Sequence, residues 1–162
     1  MEILEKIIQI LNRMFLWVAG LFMVAMILIT CANIFLRIVW VPLKGTFELM
    51  GFFGAVATAF VLGYTQMKKA HISVDILFNQ FSQSTRKVFN AINHAVCMLF
   101  FAVVGWQIFL LAANLRNTGE VTETLRIVYY PFTYGVAFGC MLLALVLLLD
   151  FVKLFSTSDG ER

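Results

Sequence analysis

Charged residues divide this chain into four long apolar runs. Met14 to Leu36, Leu49 to Met67, Val88 to Leu115 and Ile127 to Leu149 contain 23, 19, 28 and 23 residues without an Asp, Glu, Lys or Arg. At about 1.5 Å of rise per residue, even the shortest run covers roughly 28 Å, close to the hydrocarbon thickness of a bilayer. The third is longer than needed and must tilt or begin among the headgroups. Each run is continuously apolar rather than alternating, which predicts helices and not barrel strands, because a helix satisfies its own backbone where no water can. The expected fold is all-α and membrane-integral. Residues 1–162 form one domain with four transmembrane helices over about 14–36, 49–67, 90–113 and 128–149.

The polar intervals add detail. In the first twelve residues Ile3, Leu4, Ile7, Ile8 and Leu11 fall at helical spacing opposite Glu2, Glu5, Lys6 and Gln9. This pattern suits either an amphipathic lead-in at the interface or a plain extension of the first span. Arg37 to Glu48 is a short loop broken by Pro42 and Gly45, so spans one and two form an antiparallel hairpin with Trp40 at headgroup level. Lys68 to Lys87 is longer and spaces Val74, Leu77, Phe78 and Phe81 as a short helix lying on the membrane. Ser82 and Ser84 offer caps for span three. Arg116 to Arg126 is polar, and Pro131 sits in the first turn of span four, where its missing N–H costs little.

Composition agrees with this pattern. Apolar residues make up 62% and charged residues 13%, and the mean hydropathy is +0.92, outside the range of water-soluble domains. A net charge of +3 does not point to nucleic acid, because its distribution follows membrane topology. Lys6, Arg13, Lys68, Lys69, Arg86, Lys87, Lys153 and Arg162 share one side, against Arg37, Lys44, Arg116 and Arg126 on the other. That asymmetry predicts both termini in the cytoplasm. Cys31, Cys97 and Cys140 all fall inside spans, where sulfur behaves as a small apolar group. Leu28-Ile29-Thr30-Cys31 faintly resembles a lipoprotein cleavage site, but the run is too long for a signal peptide and Thr30 stands where Gly or Ala is expected.

Span two carries the sharpest internal pattern, with Gly51, Ala55, Ala59 and Gly63 recurring every fourth residue; Gly135 and Gly139 make a shorter version on span four. Small residues let helices approach closely in lipid, where apolar burial gives little drive for association. Either stripe can serve the chain's own helices or a partner's.

Candidate chemistry is sparse. Fixed charge at mid-membrane costs roughly 2.5 to 3.5 kcal/mol and is kept mainly where it moves ions, protons or substrate. The four spans lack it, so the chain alone is a poor pump, channel or multidrug exporter. Haem between two histidines is the other class for a four-helix membrane protein, as in the membrane anchor of a respiratory enzyme. His94 lies near the inner end of span three and His71 in the inner loop, which does not set them at a common depth, and His94 reads better as an interfacial hydrogen-bonding residue. His71 and Asp75, four apart beside Lys68 and Lys69, make a weak metal pair. No nucleophile with a base, glycine-rich phosphate loop or carboxylate pair is present, so the chain is not expected to be an enzyme.

Several residues together resemble a known family. They are the run Asn33-Ile34-Phe35-Leu36-Arg37, then Pro42, Glu48-Leu49, the Gly- and Ala-rich span, Lys68-Lys69-Ala70-His71-Ile72-Ser73-Val74-Asp75, and Tyr130-Pro131. This arrangement is similar to the small membrane subunit (DctQ-like) of tripartite ATP-independent periplasmic, or TRAP, transporters. Arg37, Pro42, Glu48, His71, Asp75 and Pro131 carry the likeness. Many members have a tryptophan shortly before the glutamate, whereas Gly45-Thr46-Phe47 stands here.

The resemblance implies a multi-pass protein of the bacterial inner membrane with three kinds of partner: a large TRAP membrane subunit, a periplasmic substrate-binding protein and membrane lipids. The large subunit is expected to hold the sodium and organic-acid sites, leaving no cofactor in this chain and a scaffold role for it. On that view Gly51, Ala55, Ala59, Gly63, Gly135 and Gly139 are packing residues for its own helices or the large subunit. Arg37, Lys44, Glu48, Arg116, Glu120, Glu123 and Arg126 are then the charges available to dock the binding protein.

Overall fold

A computed structural model describes residues 2–68 and 83–156. Four helices account for nearly all of them: α1 (Glu2–Val39), α2 (Thr46–Met67), α3 (Gln83–Thr118) and α4 (Tyr130–Ser156). Each contains a stretch long and apolar enough to cross a membrane: Glu5–Val39, Thr46–Met67, Ala91–Thr118 and Tyr130–Val152. The membrane-surface helix expected between Lys68 and Lys87, with His71, Asp75 and the Ser82 cap, falls mostly outside the described residues. Among those described, the strand-like element is a single isolated bridge between Val121 and Val128.

The amphipathic start is not a separate element. α1 continues through it without a break for 38 residues. Ile8 and Asn12 turn inward from it, 6% and 0% exposed, while Ile3, Ile7 and Ile10 remain exposed. Ile8 packs with Leu142, Val146 and Leu149 of α4, and Phe15 and Met67 border the cluster.

The helices form an open row rather than a closed bundle. α1 packs on α2, α2 on α4 and α4 on α3, while α1 touches α4 only marginally. Half of the most apolar window of α4 is buried, against 6% of that of α1. Such a row is affordable in lipid, where an apolar face has no need to be hidden. Trp17, Leu21, Leu28 and Phe35 of α1, and Leu99, Phe100, Val103 and Trp106 of α3, accordingly stand exposed.

The row is held where backbones approach. A Cβ added at Gly139 would lie 2.7 Å from the carbonyl carbon and oxygen of Ala59, so α2 and α4 touch main chain to main chain there. One turn along, a Cβ on Gly135 would make ordinary contact with Val56 at 3.4 Å. On the α1 side, the Asn12 carboxamide occupies the space that a side chain at Gly63 would need. Its Nδ2 donates to the Ile8 carbonyl at 2.9 Å, and its buried Oδ1 has no hydrogen-bond partner. Stacked rings fill the wider parts of the seams. Phe15 lies on Phe60 at 4.1 Å and Phe22 on Phe53 at 5.0 Å between α1 and α2, with Phe52 on Phe132 at 4.4 Å between α2 and α4. Near the chain termini Gln66 Nε2 donates to Asp150 Oδ2 at 3.0 Å, tying α2 to α4 once more.

The close approach gives a discriminating substitution pair. Gly139→Ala places a methyl against backbone that cannot turn aside, and overpacking of this kind costs about 1 to 3 kcal/mol. Gly51→Ala meets nothing within 4 Å. Thermal unfolding in detergent is expected to show a lowered midpoint for Gly139→Ala and an equal or slightly raised one for Gly51→Ala, where the helix gains alanine's propensity at no steric cost.

Candidate functional site

Without charged residues in mid-span, the functional candidates are surfaces. Two stand out, one along α2 and one at the end of the row where the α1–α2 and α3–α4 connections meet.

The stripe on α2 does not face one way. Residues four apart advance by 400° on a helix, so a stripe spaced by fours drifts about 40° with each step. From Gly51 to Gly63 this drift carries it a third of the way around. Ala59 and Gly63 are therefore buried against α4 and α1, whereas Gly51 and Ala55 are exposed. Gly135 and Gly139 both point at α2, onto Val56 and Ala59. Sequence left open whether the stripe serves the chain itself or a partner; its geometry divides between an inner half and an open half.

The open half borders a groove. Gly54 and Thr58 continue the small surface beside Gly51 and Ala55, and Met23, Met26 and Thr30 of α1 form the facing wall with Met50. The groove measures about 630 Å³. Thr30 does not leave a free hydroxyl in it, because Oγ1 donates to the Met26 carbonyl at 2.7 Å, the usual way a helix satisfies threonine in an apolar medium. Among the described residues of α2, Phe47 is the one large hydrophobic side chain that is exposed. The lipid-accessible side of this helix is thus small where those of α1 and α3 are bulky.

At the connection end, two polar side chains organise the loops. Asn33 Oδ1 accepts the Leu43 N–H at 2.9 Å, which folds the chain back over the end of α1. Thr46 Oγ1 donates to the Leu43 carbonyl at 3.0 Å as α2 begins. Gly45 takes a left-handed φ of 75°, and Leu125 packs so closely on it that a Cβ there would collide with the leucine side chain.

Glu48 is the centre of this arrangement. Its Oε1 accepts the Thr124 N–H at 2.8 Å and its Oε2 the Leu125 N–H at 3.1 Å, joining segments more than seventy residues apart in sequence. The receiving segment is itself a small folded hairpin. Thr122, 2% exposed, donates its N–H to the Ile127 carbonyl at 2.9 Å and accepts the Ile127 N–H on Oγ1 at 3.1 Å. Val121 and Val128 bridge just outside, and Arg126 at the turn has a φ of 53°. Sequence grouped Glu48 with the docking charges, but both of its oxygens are engaged within the chain.

The other charges of that group remain exposed: Arg37, Lys44, Arg116, Glu120, Glu123 and Arg126. Glu120 accepts from Thr118 Oγ1 at 3.3 Å. Pro42 and Pro131 are exposed too, the latter in the first turn of α4 as its sequence position predicts. His94 is half-buried on α3, and its Nδ1 is enclosed without a hydrogen-bond partner. Among the described residues no three His, Cys, Asp or Glu side chains are placed to hold a metal.

Sequence reasoning did not foresee Gly45, Thr122 and Leu125 as parts of one site. A glycine before a helix and a threonine in a polar loop are too common to signal it. The clamp does make a sharp expectation for amide exchange. Glu48→Ala removes the acceptor of two backbone N–H groups, so exchange at Thr124 and Leu125 should accelerate on the order of tenfold or more. Glu48→Gln keeps one carbonyl oxygen and should give an intermediate rate, read by hydrogen–deuterium exchange on the purified protein.

Comparison with known proteins bears on these surfaces. No curated protein and no solved structure matches the chain. A family model described as tripartite ATP-independent periplasmic transporters, DctQ component, matches residues 26–157. The matched region holds the C-terminal part of α1 from Met26 onward, all of α2 with its small-residue face, the Glu48 clamp, and α3 and α4. The chain therefore belongs to the DctQ family and is a multi-pass membrane component of a tripartite transporter rather than an enzyme.

Proposed function

We propose that this protein is the small membrane subunit of a sodium-coupled transporter for an organic acid, bracing the large transport subunit and helping to dock the periplasmic substrate-binding protein. It resides in the bacterial inner membrane. Both termini lie in the cytoplasm, in keeping with eight Lys and Arg residues on the terminal side against four on the other. Sodium and substrate are held by the large subunit, and this chain carries no cofactor.

The observation that carries the bracing role is the open face of α2. Gly54 and Thr58 line a groove of about 630 Å³ and Gly51 and Ala55 are exposed on the same helix, so little side-chain bulk stands there in a protein whose other lipid-accessible faces are lined by Leu, Ile, Phe and Trp. Lipid makes no demand for small residues, whereas a second helix gains van der Waals contact from them. The large subunit supplies that helix. Mid-span residues with no fixed charge suit a static partner, since nothing in them binds an ion or an acid.

Ala55→Leu should separate the two subunits by adding bulk to the contact, so that recovery of the large subunit with the tagged small one falls several-fold. Val103→Leu, on the exposed face of α3, should leave recovery unchanged. Equal recovery for both would remove the assignment of this face. Vesicles holding this chain alone should show no sodium-driven uptake of an organic acid, and uptake by them would sink the bracing role itself.

A further inference from the structure

The Glu48 clamp does more than fix two loops, because it assembles a composite surface from four residues that flank it. Lys44 precedes the Gly45 on which Leu125 packs, and Phe47 precedes Glu48. Glu123 precedes Thr124 and Arg126 follows Leu125, the two residues whose N–H groups the clamp holds. All four are exposed, and Phe47, at 89%, is the most exposed large hydrophobic residue among those described. Neither Lys44 nor Arg126 forms an ion pair among the described residues.

Arg126 is also presented in a particular way. Its φ of 53° is the one positive value at a non-glycine residue among those described, a conformation that disfavours most side chains. The pair of hydrogen bonds between Thr122 and Ile127 closes the turn around it. Backbone held in this conformation fixes the direction in which the exposed arginine side chain leaves the turn.

We propose that Lys44, Phe47 and Arg126 form the contact patch for the soluble substrate-binding protein, with Phe47 entering an apolar pocket and the two cations meeting an acidic rim. This rests on the reading that the chain helps dock that protein, and it specifies where and with what chemistry. Exposed aromatic and arginine side chains are the types enriched where proteins bind one another, and the clamp brings the segments carrying Phe47 and Arg126 together. A bilayer surface is the weaker match. Anionic headgroups impose no geometry that would require a clamped turn, and they would repel Glu123 and the nearby Glu120. A structured partner can offer both signs of charge in register.

The experiment uses the complete three-part transporter in vesicles, with the binding protein added outside over a range of concentrations. Lys44→Glu with Arg126→Glu, and separately Phe47→Ala, should raise the binding-protein concentration for half-maximal uptake about tenfold or more, with the maximal rate retained. Added salt should weaken the parent and have little effect on the charge-reversed form. Recovery of the large subunit with each variant checks that the chain is intact, and Lys44→Gln with Arg126→Gln gives a milder form if the reversal is not inserted. Half-saturation equal to the parent's in assembled variants overturns the proposal. So does a shift that vanishes when anionic lipid is replaced by zwitterionic lipid, which would make the patch a membrane contact. A parent complex whose uptake ignores the binding protein would defeat the docking reading itself, a result distinct from either of these.

Discussion

The contact between Gly139 and the backbone of Ala59 is the constraint from which the arrangement of this protein follows. In water two helices associate because their apolar faces leave the solvent; in a bilayer that gain is nearly absent, and what remains is close contact over a long seam. Glycine and alanine supply it by letting α4 lie directly against α2. α4 then becomes the most enclosed helix, with α3 on one flank and α2 on the other, and α1 is added at the edge through Asn12 over Gly63 and the stacked phenylalanines. An open row results, because no force obliges α1 and α3 to close on each other.

An open row leaves one side of α2 accessible, and this is where packing bears on function. Membership in the DctQ family makes the chain one component of a tripartite transporter. The bracing role proposed for it would use a rigid surface of low relief, and α2 has one because its inner half is already locked to α4. The polar residues near the membrane obey the same economy. Thr30 returns its hydroxyl to its own helix, and Gln66 meets Asp150, so neither stands ready to bind a solute.

At the connection end the problem is different, since loops outside the hydrocarbon have water available and no packing force to order them. Hydrogen bonds order them instead. Asn33 turns the first loop back, Glu48 gathers the second, and the Thr122–Ile127 pair closes its turn. A carboxylate accepting two backbone N–H groups is a stronger joint than a surface ion pair, because neither donor can swing away.

Four membrane-length helices and the hairpin formed by the first two were legible in the chain, because the bilayer admits few structures and long apolar runs must become helices within it. The family was legible as well. Other features were not, and for a common reason: they depend on rotation about a helix axis or on pairing between distant segments. The spacing of Gly51, Ala55, Ala59 and Gly63 announced a stripe, but only the packed helices decide that its drift buries two of them and leaves two open. Glu48 read as one more outward charge until the fold brought the amides of Thr124 and Leu125 to it. A one-dimensional pattern fixes which residues prefer lipid; which of them meet is set by helix order and rotation, and those are determined by contacts that exist only once all four helices have assembled.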